Sequence, residues 1–288
     1  MRAILAILLI VSASTAGADN QVLLAVLGEP QCRDGASVVV RPLFAMNQGK
    51  WVALNTKDQA DAFLPKKVRW TITLNGHDIG VLSSTDSGIV PDPAWTYPRD
   101  YWHLPEPGAV LPDVLNIAKA FAGWCDPPQH RPLVLATTVH FSDPEHWKQA
   151  PTSYKRIEFL FSAFKDTLEG ATLCFDPDNP KPYRLMAKDL RVVTRMISRD
   201  GRQLVALKLA KNSFECGSEL GEVMSPRWFA VGKTIRYLGS DLSLIDIADY
   251  DHDGESELMF WYSGYNRDGY TLFSKRLQQR TDFTWNYH

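Results

Sequence analysis

The sequence predicts a mainly β protein assembled from antiparallel hairpins, with one or two short helices. Three observations predict it. Apolar and polar residues alternate over short runs, the period of a strand with one buried face. Asn-Gly and Asp-Gly pairs separate these runs and supply the positive φ angles that tight hairpin turns need. Only two short segments carry helical periodicity instead.

The elements follow in chain order. VVVRPLFAMNQGKWVALN (38–55) reads as a hairpin around Asn47-Gln48-Gly49. VRWTITLNGHDIGVLSS (68–84) turns at Asn75-Gly76, and Trp70, Ile72 and Leu74 alternate with Arg69, Thr71 and Thr73. That alternation predicts a strand with one wet face. Residues 86–112 are rich in Pro, Trp, Tyr and Asp and read as a long ordered loop, followed by a second short helix at 111–124. RPLVLATTVHF (131–141) is a strand. SYKRIEFLFSAFKDTLEG (153–170) is the main helix: Ile157, Leu160, Phe161, Phe164 and Leu168 form one apolar stripe, and Gly170 stops it. RVVTRMISRDGRQLVALKLA (191–210) turns at Asp200-Gly201, 227–239 is a further strand pair, and 242–274 is the last hairpin.

Hairpins at intervals with few helices suggest a propeller-like architecture, in which radial repetition protects sheet edges. Blades take about 40–50 residues each, so the length allows about five or six. An irregular β-sandwich with helical insertions is the alternative.

Composition narrows the function. The chain has 288 residues, is 45% hydrophobic and carries a formal charge of −2. No Lys/Arg run stands out, so nucleic acid and anionic membranes are poor partners. Residues 1–18 read as a secretory signal peptide: Met1-Arg2 is a basic start, Ala3 to Val11 is apolar, and Ala16-Gly17-Ala18 is a cleavage site. The apolar run is too short to span a bilayer, which takes about 20 residues. A periplasmic or secreted protein starting near Asp19 is expected, with 19–288 as one mostly β domain and no transmembrane segment. Cys32, Cys125, Cys174 and Cys216 form no CxxC, and an oxidising compartment favours two disulfides. Three pairings are open. Cys32–Cys125 with Cys174–Cys216 keeps each bridge within one half of the chain, where loop closure costs less entropy.

The most legible motif is DYDHDGESE, residues 249–257. Asp249, Asp251, Asp253, Glu255 and Glu257 fall within these nine positions, in the pattern D-x-D-x-D-G-x-x-E. A hard cation such as Ca²⁺ takes about six to eight oxygens at about 2.3–2.6 Å. Aspartates at alternate positions of a tight loop turn inward on one ion, and Gly254 permits the bend after the third. The Glu255 carbonyl offers a further oxygen and Glu257 closes the shell. An EF-hand needs Glu at the twelfth position, where Phe260 stands. The flanks LSLIDIA and ELMFWYSG are strand-like, so the motif is strand–loop–strand over 242–274. Asp246, just upstream, either orients a ligand or caps the sheet.

This form resembles the calcium loops of FG-GAP/VCBS-type repeats, found in integrin α-subunit propellers and in many exported bacterial proteins. The resemblance covers residues 240–275. It implies a structural Ca²⁺ held by the side chains of Asp249, Asp251, Asp253 and Glu257 and by the carbonyl of Glu255. The family usually places Asp, not Glu, at the ninth position. The longer ending, through FTWNYH, is also similar to the C-terminus of a group of exported bacterial proteins of unassigned function.

Other groupings are weaker. His140, Asp143, Glu145 and His146 have no familiar zinc spacing. Asp176 and Asp178 lie in a proline-rich loop. Trp261, Tyr262, Tyr265 and Tyr270 read mainly as sheet and core aromatics, and Trp95, Tyr97, Tyr101, Trp102 and His103 as a plug or a recognition surface. No nucleophile elbow, P-loop or dinucleotide fingerprint is present. The function expected is therefore non-enzymatic: a calcium-stabilised binding or interaction module, monomeric, with an unknown protein or carbohydrate ligand. The alternative is a secreted or periplasmic hydrolase acting on polysaccharide, with 86–112 lining its site.

Overall fold

The computed structural model describes residues 21–27, 39–65, 67–85, 90–91, 100–103, 133–153, 157–168, 173–174, 181–210, 214–215, 225–264 and 267–286. The signal peptide, the helix expected at 111–124, most of the loop 86–112, Tyr265, Asp176 and Asp178 lie outside these residues, as do Cys32, Cys125 and Cys216. Cys174 is disulfide-bonded.

Antiparallel pairing dominates, as expected. Strands β1 (Leu23–Leu27), β2 (Val39–Asn47), β3 (Lys50–Ala53), β4 (Lys67–Leu74), β5 (His77–Thr85), β6 (Val90–Pro91), β7 (Asp100–His103) and β8 (Val134–Ala136) form an eight-stranded sheet. Its order is β5-β4-β8-β1-β2-β7-β6, with β3 also on β2. A five-stranded sheet holds β9 (Lys148–Gln149), β11 (Leu190–Ile197), β12 (Gln203–Leu209), β14 (Arg227–Val231) and β15 (Ile235–Gly239). Two short strands, β10 (Leu173–Cys174) and β13 (Phe214–Glu215), pair separately. The last sheet is a four-stranded meander: β16 (Leu242–Ala248), β17 (Glu257–Gly264), β18 (Arg267–Ser274) and β19 (Gln279–Asn286).

The meander is the central layer. On one side Ile245, Met259, Leu272 and Phe283 pack with Leu24, Phe44 and Val134 of the eight-stranded sheet. On the other, Leu258, Phe260 and Phe273 pack with Leu204, Ala206 and Trp228 of the five-stranded sheet. Burial on both faces explains why Leu258, Met259 and Phe260 run apolar without alternation, while Trp261 and Tyr262 further along are half-buried. Helix α2 (Ile157–Asp166) then covers the far face of the five-stranded sheet through Leu160 and Phe164.

Two turns match their chemistry. Gln48 and Gly49 sit at φ 49° and 75°, and Asn75 and Gly76 at 53° and 72°. Among the described residues the sheets are open and unequal, and no closed barrel or propeller is detected. Local features differ from the sequence reading. Strand β4 has no wet face along Thr71 and Thr73, which are 2% and 1% exposed. Thr73 Oγ1 donates to Asp246 Oδ2 at 3.1 Å, so that face meets the central sheet. The turn at 198–202 has only Gly201 at positive φ, because Asp200 accepts from Ser198, the Arg202 amide and its guanidinium. Described residues 133–141 hold the short β8, and just past its end the Thr137 hydroxyl accepts from the Leu23 amide at 3.0 Å. Helix α1 (Lys57–Phe63) was not expected. Thr56 and Gln59 form its capping box, which satisfies end amides of a short helix.

Candidate metal centre

The acidic loop connects β16 to β17 at one end of the central sheet. A register shift between Leu244 and Asp246 bends β16 just before it. His252 and Gly254 take φ 59° and 86°, and these left-handed positions reverse the chain. A Cβ at Gly254 would meet nothing within 4 Å, so the glycine is there for its backbone freedom.

The loop organises itself through its own aspartates. Asp249 Oδ1 accepts from the Asp253 amide and Oδ2 from the Gly254 amide, each at 3.0 Å. Asp251 Oδ1 accepts from the Asp253 amide at 3.2 Å, and Asp253 Oδ1 from the Glu255 amide at 2.8 Å. The Tyr250 amide donates to Glu257 Oε2 at 2.9 Å, joining the two ends of the loop.

A second loop buttresses it. The Asp249 amide donates to the Ser142 carbonyl at 2.9 Å, and the Thr138 hydroxyl to the Tyr250 carbonyl at 2.8 Å. Ser256 Oγ donates to Asp143 Oδ1 at 2.6 Å. Phe141 meets the ring of Tyr250 edge-on at 5.8 Å. These contacts bury Asp249, Tyr250, Ser256 and Glu257 while the loop tip stays in water.

Three of the five predicted ligands come together. Asp249, Asp251 and Glu257 each present a carboxylate oxygen, and these oxygens lie within 4.8 Å of one another. Glu257 is 0% exposed, and its Oε1 has no hydrogen-bond partner among the described residues. Burial, and then the charge of Asp251, push its carboxyl up to about 9. Burial also raises Asp249 and Asp251, reinforced in both by the charge of Asp253. An acid so placed holds its proton until a cation replaces it.

Asp253, the fourth predicted side chain, is held elsewhere, as is the side chain of Glu255, whose carbonyl rather than carboxylate was the expected ligand. Asp253 accepts from Lys275, and Glu255 Oε1 pairs with Arg276 Nε at 2.8 Å. Both cations come from the β18–β19 turn, which the sequence reading did not connect to the loop. Lys275, Arg276 and Leu277 take φ 50°, 53° and 70° in succession. Left-handed backbone in residues with a Cβ is strained. Burial of Leu277 in the core beneath and the two ion pairs above hold it. The cue in the sequence was the basic pair in Ser274-Lys275-Arg276, two strands beyond the acidic loop.

The remaining candidates are structural. Asp246 ties β16 to β4 and is buried. Asp143 accepts from the Glu145 and Trp147 amides at 3.1 and 2.6 Å, which shapes its turn. Glu145 accepts from the Trp147 indole at 2.7 Å and from Arg202 Nη2 at 2.6 Å. His140 points into water, 90% exposed. His140, Asp143, Glu145 and His146 form no metal-ligating group among the described residues. Trp261 stacks edge-on with Tyr270 and Trp285 at 4.9 and 5.6 Å, part of the aromatic packing inside the central sheet. No helix among the described residues is long and apolar enough to cross a membrane. In comparisons with known proteins, no protein family, curated protein or solved structure matches this chain.

Proposed function

We propose that this chain is an exported, calcium-stapled β protein that acts as a non-enzymatic binding or interaction module. The observation that carries the metal reading is Glu257: a carboxylate with no exposure, one oxygen lacking a hydrogen-bond partner among the described residues, facing Asp249 and Asp251. Such a group is costly to bury unless a counter-charge meets it. The three carboxylate oxygens lie within 4.8 Å of one another, close enough for one cation to touch all three, and an all-oxygen set favours a hard cation such as Ca²⁺. Asp249, Asp251 and Glu257 would hold the ion, and it would fasten the end of β16 to the start of β17.

The loop reads as a single FG-GAP/VCBS-like calcium loop. The up-and-down order β16-β17-β18-β19, four strands long, is that of one propeller blade and supports a propeller-like ancestry for this part. Export rests on the leader-like residues 1–18 and agrees with the disulfide at Cys174. A general acid must reach its substrate, and Glu257 has no exposure, so the acidic loop favours an ion over hydrolysis of a polysaccharide.

Calcium titration followed by thermal melting tests the metal. Wild type is expected to melt higher with Ca²⁺, and Asp251→Ala to lose that gain. Identical melting of both proteins, with and without Ca²⁺, sinks the reading. Fractionation with N-terminal sequencing tests export, with Asp19 as the expected first residue.

A further inference from the structure

We propose that Lys275 is a built-in competitor for the calcium loop: its ammonium is the counter-ion of Asp253 until Ca²⁺ displaces it and Asp253 joins Asp249, Asp251 and Glu257. This inference rests on the calcium reading above and adds how the site is regulated.

Three observations carry it. Asp253 stands at the fifth position of an alternating acidic loop, yet it is outside the group of three whose oxygens converge. Its Oδ2 is taken by Lys275 Nζ. The buried, partnerless Oε1 of Glu257 marks the place where positive charge is missing. Lys275 reaches from the β18–β19 turn and feels Asp251 and Glu257 as well as Asp253. It therefore lies against the cluster without filling its centre.

The turn is shaped for this. Lys275 at φ 50° is held in a left-handed position, and its side chain reaches Asp253 in the loop between β16 and β17, outside its own β18–β19 hairpin. Arg276 makes the neighbouring pair with Glu255, whose side chain the ion does not need. One basic residue thus faces a ligand and the other a non-ligand. An ammonium beside a divalent cation opposes its binding, and an aspartate freed from an ammonium adds an oxygen to the shell. Both effects make Lys275 a brake on affinity.

Calorimetric titration with Ca²⁺ at fixed pH and ionic strength tests the brake. Lys275→Met is expected to bind Ca²⁺ about tenfold more tightly than wild type. Lys275→Gly, which suits the positive φ, should show the same gain if Lys275→Met folds poorly. Asp253→Asn should weaken binding about tenfold, and Arg276→Met should leave it within about twofold. Melting gives a signature that a purely structural lysine would not: the metal-free Lys275 variants melt lower, while their Ca²⁺-induced rise is larger than that of wild type. If wild type binds Ca²⁺ and neither Lys275 variant gains affinity, the competition idea is wrong and the metal site stands. If Asp253→Asn binds as wild type does, Asp253 is not recruited. If wild type binds no Ca²⁺, the calcium reading itself fails and this inference with it.

Discussion

The Tyr250 amide donates to Glu257 Oε2 at 2.9 Å, across the neck of the acidic loop. One oxygen of Glu257 thereby serves the backbone, the other has no hydrogen-bond partner among the described residues, and the carboxylate lies beside Asp249 and Asp251. That division allows a single side chain to close the loop and to offer a ligand.

Neutralising this side chain should separate folding from metal response. Wild type at Ca²⁺ about a hundredfold above its Kd gains about 2.7 kcal/mol. For a chain of this size that is a rise of about 5–10 °C in Tm. Glu257→Gln keeps the shape and the Tyr250 contact. Because Glu257 is protonated near neutral pH without metal, the variant should melt within about 2 °C of metal-free wild type. It should show no rise with Ca²⁺. Scanning calorimetry with and without chelator checks both.

The pH dependence has a defined sign. Without metal, folded Glu257 keeps its proton up to about 9, while the unfolded chain loses it near the ordinary glutamate value of 4.5. The unfolded state then binds fewer protons across that window, so stability falls as pH rises. From this group the slope is about 1.4 kcal/mol per pH unit. Saturating Ca²⁺ removes the proton from the folded state and cancels the slope. Urea titrations of wild type and Glu257→Gln between pH 5 and 9 give the difference directly, and equal slopes in chelator would contradict the burial argument.

The β4–β5 turn packs against the strand that carries the loop. A Cβ on Gly76 would stand 2.8 Å from the Ile247 carbonyl, at φ 72°. Gly49 has a similar φ of 75° but open space around it. Gly49→Ala should cost about 1 kcal/mol for its backbone alone. Gly76→Ala should cost about 3 kcal/mol, because the collision is with backbone that cannot swing aside. Chemical denaturation of the two variants measures the difference.

A polar staple outside the metal loop should matter as well. Glu145 joins the Trp147 indole to Arg202, which also pairs with Asp200. Glu145→Ala should cost about 2 kcal/mol, since the indole loses its acceptor and the guanidinium keeps only the exposed partner. Glu145→Gln should recover part of it by accepting from the indole. Denaturant midpoints of the three proteins order them.

Much of the fold was legible in local chemistry. Gln48-Gly49 and Asn75-Gly76 turn where their positive φ is cheap, and the stripe Leu160, Phe164, Leu168 lies buried as its spacing requires. What was missed depended on partners distant in sequence. Thr71 and Thr73 look like wet-face residues until a second sheet lies over them. Strand β19 is polar at Gln279, Arg280 and Thr281 and was not recognised, because its β-character comes from pairing with β18. The loop was read correctly as strand–loop–strand, and its acids were named, but not their division into two groups.

By itself the sequence determined the antiparallel hairpins, the main helix and the acidic loop with its bend at Gly254. Each of these depends on residues within a few positions of one another: turn φ angles, side-chain period and like charges in close succession. Tertiary structure alone decided that Glu257 is dry, that Asp249 and Asp251 face it, and that Lys275 and Arg276 hold Asp253 and Glu255. Burial and charge pairing depend on which strands become neighbours. Here a turn about twenty residues downstream and a loop more than a hundred upstream meet at the same end of one sheet.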